Sequence, residues 1–223
     1  MGLEKFLNAR SVAIIGASLD ERKRGYQAIQ ALRRSGFEGR IYPVHPKEEC
    51  IQGLTCYRDV LEIPETVDIA LITTPAATVP GLLEQCGKKG IPGVVVVAGG
   101  FGELGEKGRS LQEQLVEVAR SHGVRMVGPN TSGLINVRRG LNLVGIADVP
   151  RGDIALLSQS GNMALHIITE ATLKTQKGFS YYIGVGNEAD IKFHEYLEFL
   201  AADEGTRAIV IYVEGLRDGR RFL

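Results

Sequence analysis

Twice in this chain a short apolar run breaks into small residues and then opens an amphipathic stretch. The first copy is Val12-Ala13-Ile14-Ile15-Gly16-Ala17-Ser18, and the second is Ile154-Ala155-Leu156-Leu157-Ser158-Gln159-Ser160-Gly161-Asn162. A strand that feeds directly into a helix is the connection of a parallel α/β sheet. Such a turn leaves backbone N–H groups unpaired at a helix N-terminus, where the helix dipole also favours negative charge. Each turn is therefore a candidate phosphate cradle, formed by Gly16, Ala17 and Ser18 in one copy and by Ser160, Gly161 and Asn162 in the other. Two cradles in one chain suggest a protein that holds a phosphorylated ligand at one and receives a phosphoryl group at the other.

The rest of the sequence carries the same alternation. Residues 11–15, 40–44, 67–72, 92–97 and 124–127 read as strands, and their nearly continuous apolar character implies that both faces are covered. Residues 26–35, 78–89 and 107–122 repeat apolar positions at helical spacing, with Leu111, Leu115, Val118 and Ala119 as one stripe. Strict alternation predicts a doubly wound, Rossmann-like α/β domain over residues 1–148. The pattern lapses over residues 131–149. It resumes in a second α/β domain, residues 149–223, with strands at 154–157, 179–185 and 208–213 and helices at 162–175 and 191–203. Three strands make a short sheet, so the second domain reads as truncated or completed by a partner. An unfinished sheet is also compatible with homo- or hetero-oligomerisation.

With 223 residues, 44% of them apolar, the chain has enough material for a substantial core. A formal net charge of zero offers no broad basic field for nucleic acid. Three cysteines, Cys50, Cys56 and Cys86, have neither zinc-ligand spacing nor an even count, which fits a reducing cytoplasm without a metal site. No run approaches the roughly 20 apolar residues of a membrane span.

At the first cradle a dinucleotide fingerprint is incomplete, because Ser18 stands where its second glycine belongs. The end of the next strand, Tyr42-Pro43-Val44-His45-Pro46-Lys47, supplies a lysine where a nicotinamide site places an acid. Lys47 suits a ribose-linked phosphate, and Lys23 and Arg24 add positive charge near the first turn. The residues favour a phosphorylated adenine nucleotide over NAD, and NADP remains compatible.

Six short motifs then fall into register. Ile15-Gly16-Ala17-Ser18, Tyr42-Pro43-Val44-His45-Pro46-Lys47, Thr74-Pro75-Ala76, Gly128-Pro129-Asn130, Ser158-Gln159-Ser160-Gly161 and Tyr212-Val213-Glu214-Gly215 occur in this order in NDP-forming acyl-CoA synthetases, relatives of the succinyl-CoA synthetase alpha subunit. The chain resembles that family over essentially its whole length. The resemblance implies a Rossmann-like CoA-binding domain followed by a flavodoxin-like domain. Gly16, Ala17 and Ser18 would face the CoA phosphates, Lys47 would pair with a phosphate, and Thr74, Pro75 and Ala76 with Ala98, Gly99 and Gly100 would line the rest of the groove. Ser160, Gly161 and Asn162 would receive the phosphate of a phosphohistidine, whose ring Glu214 would orient.

The phosphorylated histidine of the family lies beyond this chain. His45, His122, His166 and His194 do not match its motif. The resemblance therefore implies the CoA-binding and phosphate-platform part of an ADP-forming acid-CoA ligase that acts on a carboxylic acid. ATP and Mg2+ would enter through an ATP-grasp domain or beta subunit, and the nucleophile through a further C-terminal segment. Two other readings stand beside it: a non-catalytic CoA-responsive module, such as one fused to an acetyltransferase, and an NADP-binding oxidoreductase domain.

Overall fold

The computed structural model describes residues 2–146, 149–175, 177–216 and 218–222. Short helix α1 (Glu4–Leu7) leads into β1 (Ser11–Ile15), α2 (Arg24–Arg34) and β2 (Arg40–Val44). A small hairpin, β3 (Cys50–Ile51) with β4 (Leu54–Thr55), precedes β5 (Ile69–Ile72), α3 (Val79–Lys89), β6 (Gly93–Val96), α4 (Glu106–Ser121) and β7 (Arg125–Val127). The order β2-β1-β5-β6-β7 is parallel throughout. Every residue of β1, β5 and β6 is buried, which is why these strands read as continuous apolar runs. Helix α3 stops where expected: Gly90 takes a φ of +81°, and the Ile91 N–H reaches back to the Cys86 carbonyl at 3.0 Å.

The second sheet departs from the three strands expected. Among the described residues it has five, because β8 (Leu134–Asn136) and β9 (Leu141–Asn142) join β10 (Arg151–Ser158), β11 (Phe179–Gly184) and β12 (Ala208–Tyr212) in the order β12-β10-β11-β8-β9. The added pair runs antiparallel, and Leu134, Ile135 and Asn136 lie opposite Ile183, Tyr182 and Tyr181. These strands are only three and two residues long and sit among glycines and asparagines, so periodicity had too few positions to register them. Sheet membership changes between Val127 and Leu134, whereas the domain boundary expected at 148 falls at Asp148, outside the described residues. Helices α5 (Gly161–Thr175) and α6 (Phe193–Ala201) cover the two faces of this sheet, and α7 (Gly219–Phe222) follows β12.

The two sheets share one core. Ile14, Ile29 and Leu32 belong to the same buried cluster as Leu157, Tyr181 and Tyr196. A second cluster fills the far side of the first sheet beneath α3 and α4, and a third lies between the second sheet and α5. A continuous apolar interior of this kind fixes the mutual placement of the strand ends of the two sheets.

Candidate functional site

Strands β1, β2 and β5 end side by side at the point where the sheet order reverses, the place where open α/β sheets bind ligands. A groove of about 670 Å³ opens there, lined by Gly16, Ala17 and Ser18 after β1, Val44, His45 and Pro46 after β2, and Thr74 and Pro75 after β5. Gly16 has a φ of +88°, and a side chain on it would meet Thr73 Oγ1 at 2.6 Å. The Thr73 hydroxyl donates to the carbonyls of Ile15 and Gly16, each at 3.1 Å, so these two turns are locked together.

Two of the three amides of the first cradle are already paired. The N–H groups of Gly16 and Ala17 already donate to the Val44 carbonyl at 3.1 and 3.3 Å. Helix α2 begins later, and its first backbone bond runs from Gln27 N–H to the Lys23 carbonyl at 3.1 Å, which leaves the amides of Arg24, Gly25 and Tyr26 ahead of it. Gly25 packs so tightly on the first turn that a Cβ would stand 2.1 Å from the Gly16 carbonyl oxygen. The small residues after β1 thus bring the start of α2 up against the groove.

The charged residues divide. Lys23 is exposed at the groove and caps α2 without a side-chain bond, while Arg22 pairs with Asp20 at 3.0 Å. The Arg24 guanidinium turns away, donating to the carbonyls of Val144, Ser132 (2.9 Å) and Leu143 (3.4 Å) between the two sheets. Lys47 is exposed just past Pro46, outside the lining of the groove. Its amide and that of Glu48 both donate to His45 Nδ1, at 3.3 and 3.2 Å.

Ala76, Ala98, Gly99 and Gly100 lie one step further along the sheet edge, outside this groove. Gly100 abuts Ala76, with a 3.1 Å gap from its would-be Cβ to that of Ala76. Glu103 ties down the loop: its Oε1 accepts from the amides of Gly100 (2.5 Å) and Phe101 (3.1 Å), and its Oε2 accepts from Asn187, in the turn after β11, at 2.6 Å. Asn187 also accepts from Asn130 at 3.2 Å and donates to Gln112 at 2.9 Å.

The second cradle is compact. Ser158 Oγ accepts from the Ser160 amide at 3.1 Å, and Ser160 Oγ accepts from the Met163 amide at 3.4 Å. Since the Ala164 N–H makes the first helical bond, to the Ser160 carbonyl at 3.1 Å, the amides of Gly161 and Asn162 in the first turn of α5 precede that ladder, whereas the Ser160 amide is taken by Ser158. Gln159 joins this turn to the end of β12: its Oε1 accepts from the amides of Glu214 (2.7 Å) and Gly215 (3.0 Å), and its Nε2 donates to the Gly215 carbonyl at 2.9 Å. The exposed Glu214 is thereby anchored beside the cradle through its backbone.

The segment after Pro129 runs between the cradles. The Asn130 amide donates to the Ala98 carbonyl at 2.9 Å, and Ser132 packs 3.1 Å from a Cβ placed on Gly161. Ser132 also bonds the hydroxyl of Tyr182, which settles its place in the packing.

Comparison with known proteins agrees with this arrangement. Residues 10–136 match the CoA binding domain, and residues 151–223 match the succinyl-CoA ligase like flavodoxin domain. The chain belongs to the CoA-binding domain family. Among curated relatives, the alpha subunits of ADP-forming acetate-CoA ligases I and II of Pyrococcus furiosus are 46% and 42% identical over 100% and 99% of this chain. The chain spans about half their length, 49% and 48%. The dinucleotide-forming acetyl-coenzyme A synthetase 1 of Ca. Korarchaeum cryptofilum, solved with phosphate and ADP, superposes with a TM-score of 0.94 at 37% identity, covering 99% of this chain and 47% of that one.

Three lining residues stand outside every motif read from the sequence: Asp59, Leu82 and Gln85. A signal existed for the helical ones, since Leu82 and Gln85 follow Thr78, the N-cap of α3, at four- and three-residue spacing on one side of the helix. Glu188 accepts from the Phe193 amide at 3.2 Å at the start of α6. His166 is exposed on α5.

Proposed function

We propose that this chain is the CoA-binding and phosphate-platform portion of an ADP-forming acid-CoA ligase. The observation that carries the reading is the pairing, over one shared core, of a lined groove at the first sheet's switch point with an open helix N-terminus on the second sheet. The first turn of α2 with Lys23 holds the CoA diphosphate, aided by Gly16, Ala17 and Ser18, which let the ligand approach. Arg24 contributes its amide rather than its guanidinium. Lys47, beside His45, takes the ribose phosphate. Thr74, Pro75 and Ala76 guide the ligand past Ala98, Gly99 and Gly100 toward the seam where Asn130 and Ser132 lie.

At the second cradle, Ser160, Gly161 and Asn162 receive a phosphoryl group carried by a histidine from outside residues 1–223. Glu214 hydrogen-bonds one nitrogen of that ring, which fixes the tautomer and leaves the other nitrogen nucleophilic. The phosphoryl group passes to a carboxylic acid, and the CoA thiol displaces phosphate from the acyl phosphate to give acyl-CoA. ATP and Mg2+ act through an ATP-grasp domain or beta subunit. Free thiols at Cys50, Cys56 and Cys86 fit a cytoplasmic setting, and no described helix is long and apolar enough to cross a membrane.

Calorimetric titration with CoA, dephospho-CoA and NADPH tests the reading. CoA is expected to bind, and more tightly than dephospho-CoA. NADPH binding without CoA binding would overturn it in favour of an oxidoreductase domain, and acyl-CoA synthesis by residues 1–223 alone would contradict the assignment of the nucleophile to another segment.

A further inference from the structure

One polar pair in the groove has a direction that no phosphate contact requires. Gln85, on α3, donates from Nε2 to Asp59 Oδ2 at 2.8 Å. The other oxygen of Asp59 is also occupied: Oδ1 accepts from the Leu61 amide at 2.8 Å and caps the short 3-10 turn at Val60–Glu62. An ionised carboxylate accepts hydrogen bonds and donates none. Asp59 therefore permits one orientation of the Gln85 amide, NH2 toward the carboxylate and Oε1 away from it. Among the described residues nothing donates to Oε1, and both Asp59 and Gln85 line the groove. Apolar flanks lie nearby in Val44 and Pro46 on the β2 side and Leu82 one helical turn before Gln85. A flat base fits between such walls, and an acceptor held at their edge discriminates among bases.

We propose that Gln85 reads the exocyclic amine of the adenine of CoA through Oε1, and that Asp59 is the positioning residue that turns this acceptor toward the base. The inference rests on the groove being the CoA site. Adenine presents an N–H2 donor at its sixth position, whereas hypoxanthine and guanine present a carbonyl acceptor there. Two acceptors facing each other leave both unsatisfied, and a site built around one hydrogen bond rejects the analogue that cannot make it. The residue at position 59 sets the sign of the preference. In Asp59→Asn the introduced side chain still caps Leu61 through its one remaining oxygen, but its amide nitrogen faces Gln85 and pairs with Oε1, so the Gln85 NH2 turns into the groove as a donor.

The test is titration of CoA and of its deaminated analogue, carrying hypoxanthine in place of adenine, into the wild-type chain, Asp59→Asn and Gln85→Leu. The wild type is expected to prefer CoA by about tenfold, the discrimination that one unmade hydrogen bond supplies. Asp59→Asn is expected to shrink that ratio to within about threefold or to reverse it, as the donor and acceptor at Gln85 exchange places. Gln85→Leu should weaken CoA binding while leaving the two ligands nearly equal, and this variant keeps the test decisive should Asp59→Asn fold poorly. Equal wild-type affinity for the two ligands, or an unchanged preference in both variants, overturns the base-reading role and leaves the groove assignment standing. Failure of CoA to bind the wild type overturns both.

Discussion

The two strand-to-helix turns began as copies of one pattern and end as different devices. After β1, six residues past Gly16 and Ala17 are spent before α2 is under way, and the amides of those two are consumed by Val44. The detour creates a groove and places Lys23 and Arg22 on its rim. After β10, the turn is immediate: Ser158 and Ser160 cap it, α5 begins at Gly161, and the exposed Glu214 is drawn alongside by Gln159. Extra chain between strand and helix opens a groove with room for a long ligand. A minimal turn leaves a compact helix start, the platform that the proposed function assigns to a phosphoryl group.

The sharpest way to break this contrast is to add one methyl group to each glycine at the two helix starts. Gly25→Ala drives a Cβ to 2.1 Å from the Gly16 carbonyl oxygen, a backbone atom that cannot yield without dislodging the helix start. Loss of about 3 kcal/mol in urea unfolding is expected, at the upper end of ordinary overpacking, together with loss of CoA binding. Gly161→Ala meets only the Ser132 side chain, at 3.1 Å. It should cost less than about 1 kcal/mol, because alanine also favours the helix. Similar losses at the two positions would show that the close approach is not what distinguishes the cradles.

This distinction marks how far the sequence could be read. Both parallel series, the two helix starts and the order of motifs follow from apolar periodicity and small residues, because burial on both strand faces leaves a strong local signal. The detour was illegible because it depends on which carbonyl captures the Gly16 and Ala17 amides, and Val44 lies 28 positions from Gly16. Arg24 shows the same difficulty: its charge was visible, but its direction depends on carbonyls more than 100 residues away in Ser132 and Leu143. Strands β8 and β9 were missed because a five-residue total of pairing leaves almost no period to detect.

Charge is the next point of comparison, since the first cradle has side-chain cations and the second relies on amides. Lys47→Ala should weaken CoA by roughly 1.5–3 kcal/mol, the range for a hydrogen bond to a charged group. The loss should shrink in high salt because the lysine is exposed. Dephospho-CoA should be indifferent to the substitution. If both ligands weaken equally, Lys47 does not read the ribose phosphate and the groove depends on its helix start more than its rim.

At the second cradle the capping serine is the corresponding probe. Ser160→Ala removes the acceptor for the Met163 amide and should destabilise the fold by about 1 kcal/mol, measured by urea unfolding. Because Gly161 and Asn162 keep their amides, the platform geometry should survive, held at its other end by Ser158 and Gln159. A collapse of stability well beyond a cap's contribution would mean that the compact turn is more strained than its hydrogen bonds indicate.

The smallest effect concerns the link between the two sites. Burial acts to raise the Glu103 carboxyl, but hydrogen bonds from Asn187 and from the Gly100 and Phe101 amides outweigh it and hold the group below the usual carboxylate range. A carboxyl depressed in the folded state stabilises above its unfolded value, about 4.3 for Glu, and that contribution fades as pH falls through the lower folded value. Glu103→Gln should therefore be less stable than wild type at pH 7, with the gap narrowing as urea unfolding is repeated toward about pH 3. Glutamine offers one acceptor oxygen in place of two, so it cannot hold Gly100 and Asn187 together in the same way. A constant gap across that range would assign the loss to packing, whereas a closing gap would show that an ionised Glu103 joins the Gly100 loop of the first sheet to the Asn187 turn of the second.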